Sequence, residues 1–382
     1  MPMLRKRWLL VIPVILLLMG CHSTATTAQK ADRVKNGQFN GITLDVSRHH
    51  YQVSTLEKFI TFVADHHGSF VQLHFTDDKD FAIENAVVGQ TISRATKKNG
   101  IWRNNRTHQA FYSNQQIQQL LRLAKQRGVT LIPEIDTPAH VTGLVNTLKA
   151  SGKAALAKKL SWHSNSYGDE LHLNQASINF VKRIDHEVAD DFAGQRNARF
   201  HLGGDEFTDK MTKNTAYIKY LNATSMNVEQ LGFIPEAWND GFLNTSLKAI
   251  NHHIQVTYWN WTADQFGTLG KQRRKTWASM PRLIANHFKV LNYNDYYLYF
   301  NITKKGISKR DVAYMSNDMK RYWKPTLWDN DSATKLKSLH GIVGSSVSFW
   351  ADSAGSITDK QIYRAGNKFI ETFLRLAQKP LS

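Results

Sequence analysis

Apolar residues recur along this chain in two alternating rhythms. Short, dense runs of branched and aromatic side chains stand at Ile42–Val46, Phe70–Phe75, Val129–Glu134, Arg199–Leu202, Phe233–Trp238, Ile254–Trp259, Val290–Tyr293 and Ile342–Trp350. Runs of this kind suit strands that are buried on both faces. Between them the apolar positions take helical spacing. Leu56, Phe59, Ile60 and Val63 share one helix face, with the capping-box segment Ser54-Thr55-Leu56-Glu57 at its start and Gly68 beyond its end. Ser113-Asn114-Gln115-Gln116 repeats the device ahead of Ile117, Leu120, Leu121 and Ala124, with Gly128 after them. Further helices are expected over 142–159, 177–190, 212–226, 279–286, 332–339 and 358–377.

Strands that alternate with helices imply a parallel sheet with right-handed crossovers. Eight such repeats imply closure into a single (β/α)8 TIM barrel, for which 382 residues are ample. An open doubly wound sheet is the runner-up, but no Gly-rich phosphate loop follows the first run.

The first residues follow a different pattern. Arg5-Lys6-Arg7 precedes an apolar run from Trp8 to Met19 that is short for a membrane span. It ends in Leu18-Met19-Gly20-Cys21, which resembles the lipobox of bacterial lipoproteins, whose cysteine is acylated and becomes the new first residue. Cys21 is the only cysteine, so it suits a lipid site better than half of a disulfide. The expected organisation is a signal peptide over 1–20, a polar tether over 21–40 and the barrel over 41–382. The protein would then be exported and held by lipid on the extracellular face of a bacterial membrane.

Loss of Arg5, Lys6 and Arg7 would lower the net charge of +18 by three, to +15. A basic exported surface suits anionic cell-wall polymers or lipid head groups. Nucleic acid is a poor partner, because the lysines are scattered and no helix-turn-helix, RNP or zinc pattern occurs. No His-Glu-x-x-His spacing is present, and Asp329-Asn330-Asp331 lacks the glycine and terminal glutamate of a calcium loop, so neither metal nor cofactor is expected.

In a barrel, chemistry belongs at the C-terminal ends of the strands. Polar and aromatic residues gather there: Asp45 and Arg48, His74 to Asp78, Glu134 to His140, Asp205-Glu206, Trp238-Asn239-Asp240, Trp259, Tyr299 and Trp350-Ala351-Asp352. The most informative segment is His201-Leu202-Gly203-Gly204-Asp205-Glu206-Phe207. Two glycines permit a sharp turn or a close approach, and two adjacent carboxylates with different surroundings can divide acid and base roles.

The ordered set resembles the family 20 glycoside hydrolases, the β-N-acetylhexosaminidases. The segments that carry the likeness run from Leu44-Asp45-Val46-Ser47-Arg48-His49 through Leu73-His74-Phe75-Thr76-Asp77 and Pro133-Glu134-Ile135-Asp136-Thr137-Pro138. It continues in His201 to Phe207, Trp238-Asn239-Asp240-Gly241, Thr257-Tyr258-Trp259 and Leu291 to Tyr299. Within the family the likeness is to the dispersins, which lack a domain before the barrel and cleave β-1,6-linked poly-N-acetylglucosamine of biofilm matrix. Adjacent carboxylates cannot easily flank a glycosidic bond, and in this family the substrate's 2-acetamido oxygen replaces the second carboxylate as nucleophile.

The resemblance implies that Glu206 is the general acid/base. It gives Asp205 the task of orienting the acetamido group, and Asp77 with His140 that of backing the acid. It implies an acetamido box of Trp238, Trp259 and Trp350, a hydrogen bond from Tyr299, and sugar hydroxyls held by Arg48 and Asp352. Arg48 could instead be a salt bridge to Asp45 within the barrel mouth. Where the family usually has Trp-x-Glu, this chain has Trp350-Ala351-Asp352. Two other readings stand beside this one: a sugar-binding lectin or adhesin on the same scaffold, and a general β-1,4 N-acetylhexosaminidase.

Overall fold

The computed structural model describes residues 38–208, 214–261, 267–329 and 335–379. The leader, the lipobox with Cys21 and most of the expected tether lie outside these residues. All eight expected strands form: β1 (Phe39–Asp45), β2 (Phe70–His74), β3 (Thr130–Glu134), β4 (Arg199–His201), β5 (Ile234–Trp238), β6 (Gln255–Tyr258), β7 (Lys289–Asn292) and β8 (Ile342–Trp350). Each pairs in parallel with the next, and β8 pairs with β1 through Leu44 and Phe349, which closes the barrel. β1 begins three residues before the expected Ile42, so Phe39 and Asn40 belong to the barrel.

Side chains alternate across each strand, so one set faces the barrel axis and the other the helices. Val71, Leu73, Leu131, Phe200, Ala237, Val256, Val290, Val347 and Phe349 join the large core between strands and helices. Phe39, Phe70, Ile132, Trp238, Leu291 and Tyr293 form a separate cluster inside the barrel. The interior becomes polar toward the C-terminal ends. There the register sets His74 beside Glu134, and Glu134 beside His201.

The helix Val53–Asp65 does not use the expected capping box. Its N-cap is Gln52, whose backbone N–H donates to Asp359 Oδ2 at 2.8 Å. A carboxylate more than 300 residues away thus does the work that the local signal suggested. Past its C-terminal end, His67 rather than Gly68 takes the left-handed conformation, with φ of 60°. The helix Asn114–Arg127 does begin with the Ser113/Gln116 capping box and ends at Gly128 in the left-handed region, φ 65°.

The expected helix over 142–159 is two, Thr142–Ala150 and Ala154–Leu160. They part at Ser151 and Gly152, where φ is 86° at the glycine. Residues 335–339 are not helical as expected; Lys335 instead bridges to Leu327. A helix without a counterpart in the sequence reading runs over Lys309–Tyr322, capped by Ser308. Tyr299–Asn301 also forms a short strand along the upper end of β8, setting Tyr299 beside Ser348 and Asn301 beside Trp350.

Candidate active site

A cavity of about 210 Å³ opens at the C-terminal end of the barrel, lined by Arg48, His74, Asp77, Asp136, His140, Asp205, Glu206, Trp259, Tyr299, Asn301, Trp350 and Asp352. Every catalytic and sugar-binding residue suggested by the sequence lines it except Trp238, which is 1% exposed and lies within the barrel interior. Trp238 packs 4.8 Å from the ring of His201 and 6.1 Å from Trp350. It therefore packs behind Trp350 and Trp259. His74, Asp136 and Asn301 are lining residues that had no assigned role. His74 shares its strand face with Gln72 and Phe70, two and four residues earlier, which is a signal legible in sequence.

The loop after β4 carries the two adjacent carboxylates, and its backbone explains the glycines. Gly203 and Gly204 have φ of 73° and 97°, and Glu206 has φ of 48°. A Cβ on Gly203 would stand 1.8 Å from Asp136 Oδ1, and one on Gly204 would stand 2.4 Å from the Tyr217 hydroxyl. Asp136 Oδ1 also accepts the Gly204 N–H at 2.9 Å. The turn is thus pressed onto Asp136, at the end of β3, and no side chain fits between. The Glu206 N–H donates to Asp240 Oδ1 at 3.3 Å, while Asp240 Oδ2 accepts the indole N–H of Trp259 at 2.7 Å. One buried carboxylate therefore ties the Glu206 backbone to an aromatic wall.

The Glu206 side chain is 41% exposed, and its Oε2 lies 3.5 Å from His140 Nε2. The other ring nitrogen of His140 lies 3.8 Å from Asp77 Oδ1. Asp77 Oδ2 in turn meets His74 Nε2 at 2.9 Å and Arg48 Nη2 at 2.5 Å. His74 Nδ1 lies 3.0 Å from Glu134 Oε2, whose other oxygen accepts the Trp238 indole N–H at 2.8 Å. Acidic and basic side chains alternate along this series from Glu134 through His74, Asp77 and His140 to Glu206.

Burial opposes a charged imidazole, yet Asp77, Glu206, Asp205 and Asp136 hold His140 well above the usual histidine range. Glu134 and Asp77 do the same for His74, against its burial. Burial would raise Asp77, but Arg48, His140 and His74 hold it below the usual carboxylate range.

Asp205 and Asp136 form the second electrostatic unit. Burial and the charge of Asp205 push Asp136 well above the usual range. Burial likewise raises Asp205. Asp205 Oδ1 is shielded from solvent and receives no hydrogen bond among the described residues.

The aromatic walls complete the site. Trp259 and Tyr299 are nearly parallel, 11° apart with centroids 6.3 Å apart, and Trp350 meets Tyr299 edge-on at 5.6 Å. Burial raises the Tyr299 phenol well above its ordinary pKa, which keeps it a hydrogen-bond donor. Arg48 does pair with Asp45, Nη1 to Oδ2 at 2.9 Å, and still lines the cavity. Its Nη1 also lies 3.5 Å from Oδ1 of Asp352, whose side chain is 63% exposed. The shorter aspartate therefore reaches the rim through Arg48.

Comparison with known proteins agrees with this geometry. Residues 38–364 match the catalytic domain of glycosyl hydrolase family 20. The crystal structure of dispersin B superposes with a TM-score of 0.85 at 30% identity, covering 90% of this chain and all of that one. The pneumococcal exo-β-D-N-acetylglucosaminidase StrH shares the fold, with a TM-score of 0.67 at 18% identity over 90% of this chain and 85% of its own. A β-hexosaminidase β subunit from Entamoeba histolytica is 26% identical over 198 residues, 50% of this chain and 33% of its own length. The β-hexosaminidase of Vibrio furnissii is 25% identical over 201 residues, 49% of this chain and 31% of its own. The match thus spans about a third of each of these two relatives. With barrel, cavity and paired carboxylates in place over nearly its whole described length, the chain belongs to glycosyl hydrolase family 20.

Proposed function

We propose that this protein is a retaining β-N-acetylglucosaminidase that cleaves β-1,6-linked poly-N-acetylglucosamine by substrate-assisted catalysis. The observation that carries the reading is Asp205 Oδ1, a buried carboxylate oxygen without a donor, beside an accessible acid and three aromatic walls. A 2-acetamido N–H supplies that missing donor, and the acetamido methyl suits the space bounded by Trp259, Tyr299 and Trp350. In the first step Glu206 gives its proton to the glycosidic oxygen as the C1–O bond breaks. The acetamido oxygen attacks C1 from the opposite face, and Asp205 balances the positive oxazolinium that results. In the second step Glu206 takes a proton from water as the water oxygen attacks C1 and the oxazolinium opens. Two inversions give net retention. Tyr299 donates to the acetamido oxygen, and the His140–Asp77 pair steadies Glu206 through both proton transfers.

The β-1,6 preference and biofilm role rest on the dispersin likeness. Anchorage by a lipid on Cys21, with the barrel outside the cell, rests on the lipobox alone, and the +15 left once Arg5, Lys6 and Arg7 are removed suits contact with anionic wall polymers. Among the described residues no helix is long and apolar enough to cross a membrane. The test is product release by the chain from residue 22 onward acting on β-1,6 and β-1,4 N-acetylglucosamine oligomers, with Glu206→Gln as control. Selective, Glu206-dependent cleavage of β-1,6 oligomers is expected. Cleavage of β-1,4 oligomers alone replaces this reading with a general hexosaminidase, and sugar binding without turnover replaces it with a lectin.

A further inference from the structure

Six large hydrophobic side chains are strongly exposed among the described residues, and three of them are tyrosines that gather in one place: Tyr296 (57%), Tyr314 (64%) and Tyr322 (43%). The other three, Ile92, Met226 and Leu269, lie on separate elements. Positions 314, 318 and 322 stand one turn apart along the helix Lys309–Tyr322. The opposite face of that helix is buried through Val312, Ser316 and Met319. Tyr296 lies on the short helix Asp295–Leu298, which packs against the longer one. Asp318 is near enough to raise the Tyr296 phenol, with Tyr314 and Tyr322 adding to the effect. Arg321 covers Tyr322 at 5.2 Å from its ring centroid.

Exposed aromatic rings gathered on two packed elements mark a contact surface, not scattered surface residues. A pyranose ring has an apolar C–H face and a polar rim of hydroxyls. Three phenol faces with Asp318 among them match that chemistry, because the rings cover the C–H faces and the carboxylate accepts hydroxyl hydrogens. The surface is also near the catalytic cavity along the chain. Tyr296 is the second residue of this four-residue helix, and Tyr299, which follows its last residue, lines the cavity. We propose that Tyr296, Tyr314 and Tyr322 form a second, non-catalytic platform on which a β-linked N-acetylglucosamine chain lies, holding the polymer next to the cavity. The choice of ligand rests on the catalytic reading above.

The experiment separates the two. Binding to immobilised β-1,6-linked N-acetylglucosamine polymer is measured for Glu206→Gln with and without Tyr314→Ala and Tyr322→Ala. Hydrolysis of 4-nitrophenyl N-acetyl-β-D-glucosaminide is measured for the same tyrosine pair with Glu206 intact. The double tyrosine variant is expected to bind polymer roughly three- to ten-fold more weakly, the effect of lost ring stacking, and to cleave the small glycoside at the wild-type rate. A parallel loss of small-glycoside hydrolysis would signal damage to the fold, and Tyr314→Phe with Tyr322→Phe then decides: retained polymer binding supports the stacking surface, and lost binding overturns it. Equal polymer binding with and without the tyrosines overturns the platform, as does a change in self-association in place of polymer affinity. Failure of the intact protein to cleave the small glycoside overturns the catalytic reading, while the binding comparison still decides the platform.

Discussion

Glu134 accepts the indole N–H of Trp238 at 2.8 Å. Its other carboxylate oxygen lies 3.0 Å from His74, which is bound in turn to Asp77. A single buried side chain below the cavity therefore supports the tryptophan behind the aromatic wall and the charges behind the acid. Glu134→Gln keeps the size and one acceptor but removes the charge opposite His74. Breaking one partner of a buried ion pair costs on the order of 3–5 kcal/mol. The variant is expected to unfold at lower urea and to lose kcat more than it raises KM. Unchanged stability would show that His74 does not depend on this carboxylate.

The same chain of charges sets a pH dependence. Burial disfavours charged His74, but Glu134 and Asp77 raise it well above its ordinary value, so its folded state binds a proton more tightly. Its contribution is complete below the unfolded histidine value of about 6.5 and is lost as pH rises through the folded value. Burial would raise Glu134, but His74 and His201 hold it low, so its contribution is lost only as pH falls through that depressed value. The stability advantage of the native protein over His74→Gln is expected to be largest between about pH 4 and 6.5, and to shrink at alkaline pH. Urea unfolding across that range measures it, and an advantage that does not vary with pH would refute the charged assignment.

Gly203→Ala tests the turn that presents the two carboxylates. The φ of 73° and a Cβ placed 1.8 Å from Asp136 Oδ1 leave an alanine no unstrained position. Destabilisation of more than about 1 kcal/mol is expected, together with displacement of Asp205 and loss of activity. A thermal melt with kinetics on a small glycoside checks both, and an unperturbed variant would mean that the loop relaxes without disturbing the site.

The strands were legible because each is buried on both faces, which leaves unbroken apolar runs. The helix Lys309–Tyr322 was not, because it is polar overall and buries only Val312, Ser316 and Met319, so no dense apolar run marks it. The cap on the helix Val53–Asp65 was misread because Asp359 supplies it from the far end of the chain. At the site, residues at strand ends could be named from their segments. What each does depends on partners from other strands. Trp238 lies in the barrel interior, 6.1 Å from Trp350, and Asp136 gained its role only from contact with the turn after β4.

Asp240 gives the sharpest local test, because both its oxygens are in use. Oδ1 takes the Glu206 backbone N–H at 3.3 Å and Oδ2 the Trp259 indole N–H at 2.7 Å, in a fully buried position. Asp240→Asn has nearly the same volume but offers one acceptor oxygen, so its NH2 must face one of those two donors. An unsatisfied buried group costs about 1–3 kcal/mol, and it falls on the link between acid loop and aromatic wall. If the amide faces Trp259, the wall shifts and KM rises; if it faces Glu206, the acid moves and kcat falls. Measuring the two constants separately, with a melt to record stability, tells which donor is abandoned. Wild-type values for both would show that the acid loop and Trp259 are held independently of Asp240.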